Sequence, residues 1–445
     1  MTTVAEVRLW GSRIAAVSMP DEGGTASFQY DPDFVTSGIQ VAPLTMPLNL
    51  DPYTFPALSE ETFRGLPGLL ADSLPDRFGH AVINAWLAGQ GRSPDSFNAV
   101  ERLCYIGRRG MGALEFSPPR GPQPEKGHDL RIEALVELAS EVLAHRQQLV
   151  ASLAEGHRRQ AMQDILSVGT SAGGARAKAV IAFNPVTEVV RSGQLELDPG
   201  FEHWLVKFDG VVNNKDKDTL ADPQGYGAVE FAYSLMARDI GIVMTECRLL
   251  EEGGRRHFMT RRFDRGRDGS KRHMQSLGAL AHLDFNQPGA NSYEQAFDAM
   301  RRLGLPHQDI EQLFVRMVFN IVARNQDDHV KNIAFLMDRA GVWSLAPAFD
   351  MTYAYRPSSR WTGQHQMSVN GKRDEFALED FDAAGRVAAL PQGRARRIVH
   401  DVVEVVSQWD TYAERVNVNE ELHRGVAAAL RLQFPDTAPR STRAA

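Results

Sequence analysis

The stretch 314-FVRMVFNIVARNQDDHVKNIAFLMDRAGVWSLAPAFD-350 places an apolar helix, an acidic and histidine-bearing loop, a hairpin and a final acid in succession. Phe314, Val318, Ile321 and Val322 recur at helical spacing, so one side of this segment is buried and carries Asn325-Gln326-Asp327-Asp328-His329 to a fixed place. The helix is predicted to end near Asn325. Asn332 opens an apolar run, Ile333 to Met337, and Asp338-Arg339-Ala340-Gly341 turns it into a second run, Val342 to Leu345, which is a hairpin by pattern. Asp350 follows directly.

Asp327 and Asn332 stand five residues apart, the spacing of the protein-kinase catalytic loop, where the Asp accepts the substrate hydroxyl proton and the Asn holds a metal. Asp350 then takes the place of the metal-holding Asp of the kinase DFG motif, although the sequence reads Phe349-Asp350-Met351 without glycine. Oxygen ligands from Asn332 and Asp350 suit Mg²⁺, which completes its octahedron with water and substrate phosphates. Phosphoryl transfer is the leading expectation.

The composition frames this reading. A chain of 445 residues has room for two or three domains with proper cores. With 43% hydrophobic and 24% charged residues it has the balance of a soluble globular protein. A formal net charge of −7 gives no global reason to expect direct nucleic-acid binding. Cys104 and Cys247 are too few for a disulfide framework and too far apart for a zinc motif, which fits a reducing cytoplasm. No basic start leads into a long apolar core and no run of eighteen apolar residues occurs, so neither secretion nor a membrane span is expected.

Residues 5 to 50 alternate as strands do, and from Ser59 the signal turns helical. Four prolines between Ser117 and Pro124 mark a linker. Beyond a helix over Ile132 to Leu143, the run Gly169-Thr170-Ser171-Ala172-Gly173-Gly174 sits between two apolar segments. Such a turn lets backbone N–H groups approach phosphate oxygens, and a ligand-free glycine-rich hairpin reads the same way. Lys207 ends an apolar strand, 203 to 208, and is either an exposed residue of an edge strand or the lysine that pairs with ATP phosphates. Glu230 begins the next helix and is either its partner or an ordinary acid in a first helical turn. Strands are expected over Ile242 to Leu250 and His257 to Thr260, followed by the Arg261-Arg262-Phe263 connection, whose backbone edge receives adenine in a two-lobed kinase. The remainder is helical apart from an unstructured tail.

Together these segments resemble the HipA family of serine/threonine kinase toxins. The resemblance rests on Leu74-Pro75-Asp76-Arg77-Phe78-Gly79, Ile106-Gly107 with Gly112-Ala113-Leu114, the glycine-rich run 171 to 178, Asp327-Asp-His-Val-Lys-Asn332, Pro347-Ala-Phe-Asp350 and Met367-Ser-Val-Asn-Gly-Lys372. It implies an α+β, two-lobed protein-kinase-like fold: a β-rich N-terminal subdomain over 1–118, a kinase N-lobe over 125–262, an α-helical C-lobe over 263–434 and a disordered tail over 435–445. It further implies that the ATP γ-phosphate passes to a protein serine, in the best-known members of an aminoacyl-tRNA synthetase, so that translation slows. A helix-turn-helix antitoxin would neutralise the toxin and carry it to operator DNA. Asp327 would be the base, Asn332 and Asp350 would hold Mg²⁺, and the glycine-rich run with Lys207, Glu230, Arg261, Phe263, His329 and Lys331 would complete the ATP site. Ser171 falls at the family's autophosphorylated position, with Thr170 as competitor. Asp328 departs from the family's usual glycine, and the extra charge either raises the pKa of Asp327 or adds a metal contact.

Three other classes remain open at this stage. They are a catalytically silent corepressor, a small-molecule phosphotransferase using a similar Asp, Asn and Asp scheme, and a metal hydrolase built from Asp327, Asp328, His329 and Asp350.

Overall fold

The computed structural model describes residues 2–122, 129–144, 165, 176–193, 197–211 and 224–436. These form two compact units: Met1–Ala228 with Thr245–Leu283 and Ala334–Ala346, and Val229–Met244 with Asp284–Ile333 and Pro347–Ala445. The first is rich in sheet and the second in helix, the mixed α+β organisation that the residue pattern implies.

The first unit opens on an antiparallel sheet in the order Ser27–Tyr30, Ser12–Pro20, Thr2–Leu9, Leu114–Ser117. Leu9 pairs with Ser12, and the two residues between them, Trp10 and Gly11, have φ of 51° and 88°. Two successive left-handed residues make the turn whose twist matches paired strands. Val7, Leu9, Val17 and Phe28 are fully or almost fully buried on the inner face of this sheet. The fourth strand was not legible as a strand in the sequence. The proline-rich stretch expected as a linker is partly fastened: the backbone N–H of Arg120 donates to Cys104 O over 2.9 Å, and the Arg120 guanidinium pairs with Glu101.

A five-stranded sheet follows in the order Val190–Ser192, Lys178–Phe183, Glu202–Lys207, Arg255–Arg261, Cys247–Glu252. Its apolar face, including Ile181, Trp204, Val206 and Met259, packs with Leu135, Val136, Ala139 and Val142 of the helix Ile132–Ala144. Those four helical positions repeat at three- and four-residue intervals, which keeps them on one side of the helix. The strand expected over Ile242 to Leu250 starts only at Cys247, where pairing with Thr260 begins. A third sheet joins His273–Ser276, Ala334–Met337 and Trp343–Leu345. The predicted hairpin is therefore present, within the first unit.

In the second unit the helix His307–Val322 buries Ile310, Leu313, Phe314, Met317, Val318 and Ile321. It is accompanied by Tyr293–Arg302, Leu378–Val387 and Arg394–Val406. Pro435 and Asp436, expected in the disordered tail, are held: Leu378 N donates to Pro435 O over 3.0 Å, and Arg396 pairs with Asp436 over 2.9 Å. Among the described residues no helix is long and apolar enough to cross a membrane.

Four histidines of the first unit, His203, His257, His273 and His282, are pushed down to about 4, in each case chiefly by burial. Their folded values lie below the unfolded value of about 6.5. The unfolded chain therefore binds more protons between those limits, and stability is full above pH 6.5 and falls as the pH drops toward 4. Thermal unfolding is expected to be nearly constant from pH 8 to 7 and to shift steadily downward from pH 6.5 to 4.5. An unfolding temperature unchanged at pH 4.5 contradicts these assignments.

Candidate active site

The site is built where the helix His307–Val322 stops. Ala323 still donates to Phe319 O over 2.8 Å, but Arg324, two residues past Val322, adopts φ 57° and turns the chain out of the helix before Asn325. The predicted end near Asn325 is thus slightly late. Asn325 uses both protons of its side-chain amide, one to Asn320 Oδ1 over 2.9 Å and one to Asp350 O over 3.1 Å. Asp350 itself has φ 53°, a left-handed conformation that costs a residue with a Cβ energy and is held only where neighbours determine it. The Asn325 bond is one such determinant.

The loop from Asp327 to Asn332 closes on the backbone oxygen of Asp327. That oxygen accepts from His329 N over 3.0 Å and from Asn332 Nδ2 over 2.9 Å, and Asn332 N donates to His329 O over 2.8 Å. Asn332 thereby presents its amide oxygen as the remaining polar atom. With the Asp350 carboxylate it would offer two hard oxygens of the kind Mg²⁺ takes together with water and phosphate. Both residues line one small cavity of about 20 Å³ with Asn325, Asp328 and His329.

His329 is buried, its ring 5.6 Å from that of Phe285 and its Nε2 3.9 Å from Asp327 Oδ2. Lys331 Nζ lies 4.9 Å from the centre of the same Phe285 ring, a cation–π placement.

Asp328, left with two readings by the sequence, is tied into a hydrogen-bond network that neither reading foresaw. Its side chain is buried and accepts from Tyr293 Oη at 3.0 Å, from His365 Nδ1 at 2.9 Å and from the backbone N–H of Gln366 at 2.8 Å. A carboxylate only accepts, so the imidazole donates here. Burial and then the charge of Asp328 hold the Tyr293 hydroxyl well above its ordinary pKa, which keeps it a donor. With these donors around it, Asp328 is a post under the loop.

Gln366 was also missed. Its Nε2 donates to Asp327 Oδ1. The signal available in the sequence was the polar pair His365-Gln366 directly before Met367-Ser-Val-Asn-Gly-Lys372. In that motif Asn370 and Gly371 have φ of 50° and 76°, making a tight turn closed by two Val369–Lys372 backbone bonds of 2.9 Å. Asn370 Nδ2 and Lys372 Nζ each reach Asp380 over 2.8 Å. The motif is a tight turn that follows the short strand Met367–Ser368, which begins directly after Gln366.

In the first unit, Lys207 is buried on a central strand, not exposed on an edge one. It stands opposite Lys178 in the register, and its Nζ lies 5.7 Å from the Phe258 ring. Arg261 pairs with Glu202 over 3.5 Å, and Phe263 is half-buried. Glu230, in the second unit, is buried in the helix Tyr226–Asp239. Gly169, Thr170, Ser171, Ala172, Gly173 and Gly174 lie outside the described residues.

Comparison with known proteins gives the family and the fold. The curated "Putative kinase Y4mE" of Sinorhizobium fredii is 26% identical over 208 residues, 41% of this chain and 48% of that protein. The chain thus spans about half the length of that relative. The HipA structure of Shewanella oneidensis MR-1, solved with HipB and operator DNA, superposes with a TM-score of 0.63 at 17% identity, covering 95% of this chain and 94% of that one. At that identity it speaks for the fold alone. The family model for the HipA N-terminal domain matches residues 5–117, and that for the HipA-like C-terminal domain matches residues 170–409, which is more than half of the 445 residues. On these matches the chain belongs to the HipA family.

Proposed function

We propose that this protein is an ATP-dependent serine/threonine protein kinase that acts as the toxin of a toxin–antitoxin pair. The observation that carries the reading is the joining of the three motif residues. Asn332 is tied to the backbone of Asp327, and Asn325, two residues before that aspartate, is tied to the backbone of Asp350. A loop with a carboxylate at its start and an amide oxygen at its end, facing a second carboxylate, has the parts that phosphoryl transfer needs.

In the proposed reaction the substrate hydroxyl gives its proton to the Asp327 carboxylate as its oxygen bonds to the γ-phosphorus, the bridging P–O bond breaks, and ADP leaves. Mg²⁺ bound by Asn332 and Asp350 would neutralise charge on the phosphate oxygens. Lys207 is assigned to offset phosphate charge, and His329 to keep the loop in place. Catalysis is then mostly positioning and electrostatics. The solved assembly of the S. oneidensis relative with HipB and operator DNA supports a HipB-like, helix-turn-helix antitoxin and an indirect route to DNA. A protein serine, in the family that of an aminoacyl-tRNA synthetase, is the proposed target, and Ser171 or Thr170 the proposed autophosphorylation site.

Purified protein with Mg²⁺ and γ-labelled ATP is expected to label itself on Ser171 or Thr170. Expression without an antitoxin is expected to slow growth, and Asp350→Ala to relieve the effect. Equal toxicity of the two forms rules out the kinase mechanism and leaves the silent corepressor. Phosphoproteomics after induction identifies the target.

A further inference from the structure

We infer that Gln366 is a positioning residue for Asp327: its side-chain amide holds one carboxylate oxygen of the base, and the buried Asp328 carboxylate holds Gln366 in turn. The inference rests on the phosphotransfer reading given above and concerns how that same site is aimed.

Gln366 spans the two neighbouring acids. Its backbone N–H donates to Asp328 Oδ1 over 2.8 Å, and its Nε2 donates to Asp327 Oδ1. The amide is oriented by chemistry, since only its nitrogen can donate to a carboxylate. With Oδ1 of Asp327 engaged by the amide and Oδ2 3.9 Å from His329 Nε2, the carboxylate is held in one orientation, so the amide helps fix how the base is presented to the substrate.

The post that holds Gln366 is itself connected. Asp328 Oδ2 accepts from Tyr293 Oη, which accepts from Asn320 Nδ2 over 3.1 Å, and Asn320 Oδ1 accepts from Asn325, whose other amide proton goes to Asp350 O. One buried chain of side chains therefore reaches from the base to the backbone of the second acid. Catalytic groups must be held within a fraction of an ångström of their productive geometry, and supports of this type supply that.

A purely structural role fits Gln366 less well. Its Oε1 is buried with no hydrogen-bond partner among the described residues. A buried, half-satisfied amide detracts from stability. Replacing Gln366 by methionine keeps the length and shape, removes that unsatisfied oxygen and deletes the bond to Asp327, so activity and stability are expected to part.

The experiment uses the full chain with ATP and Mg²⁺, reading ATP turnover and self-labelling for wild type, Gln366→Met, Asp327→Asn and the double variant, with Gln366→Leu as a second replacement. Both Gln366 variants are expected to lose about 10- to 100-fold in kcat, with KM for ATP and the unfolding temperature held near wild type. The double variant is expected to be no slower than Asp327→Asn alone, because an aimed base that is absent cannot be misaimed. The inference is overturned if wild type is active and the Gln366 variants keep kcat within threefold, if only KM changes, if kcat falls only in step with unfolding, or if the double variant loses a further equal factor. A wild type with no turnover overturns the phosphotransfer reading instead, and this inference with it.

Discussion

Asp327→Asn is expected to lower phosphate transfer from ATP by about 10²- to 10⁴-fold, the usual contribution of a positioned general base. The reason for choosing asparagine is geometric. The bonds that close the loop go to the backbone oxygen of Asp327, from His329 N and Asn332 Nδ2, and do not use its carboxylate. The replacement keeps the side chain's shape and one oxygen able to accept from Gln366, while removing the group that takes the hydroxyl proton. The folded loop, and with it nucleotide affinity, should survive. The decisive comparison is self-labelling by the two proteins at equal thermal stability and equal KM for ATP. Labelling of the variant at the wild-type rate shows that the base lies elsewhere.

Asp264→Ala is expected to have the largest effect on stability, on the order of 3–5 kcal/mol, the usual outcome of removing one partner of a buried ion pair. Asp264 is completely buried between Arg262 and Arg265, at 2.6 and 2.7 Å, and accepts the backbone N–H of Gly112 over 2.7 Å. Both arginines also donate to backbone oxygens of that segment, Arg262 to Gly110 O and Arg265 to Gly110 O and Gly112 O. The cluster thus joins the residues after the strand Arg255–Arg261 to a loop 152 residues earlier. Truncation leaves two guanidinium groups among few waters and one carboxylate fewer than they need. Since whole domains are stable by only about 5–15 kcal/mol, this loss is a large share of the total. Urea unfolding should show the midpoint falling sharply with the slope retained, and a shift under 1 kcal/mol contradicts the role given to the cluster.

The two effects are also separable by pH. Burial alone would raise the Asp264 carboxyl, but Arg262 and then Arg265 outweigh it and hold the group well below the usual carboxylate range. A carboxyl lowered on folding contributes stability that persists above its unfolded value near 3.9 and is lost only as the pH falls beneath it. The decline expected between pH 6.5 and 4 therefore belongs to the buried histidines, and should persist in the Asp264 variant.

What the sequence determined by itself is short in range. The helix before the loop, the five-residue interval from Asp327 to Asn332, the hairpin and the acid after it all lie within one stretch, where helical periodicity and turn chemistry act on neighbouring residues. Their order along the chain was enough to place the protein in its family. The placement of Lys207 on a buried central strand, and of Asp328 among Tyr293, His365 and Gln366, came only from tertiary structure. The partners of Asp328 stand 35 to 38 residues away, and those of Asp264 include one at 152. No periodicity links such positions, and any asparagine, glutamine, tyrosine or histidine of the chain satisfies a carboxylate equally well on chemistry alone. Which of them does so is settled when the helices and sheets pack, because burial leaves each acid only the donors that the fold brings to it.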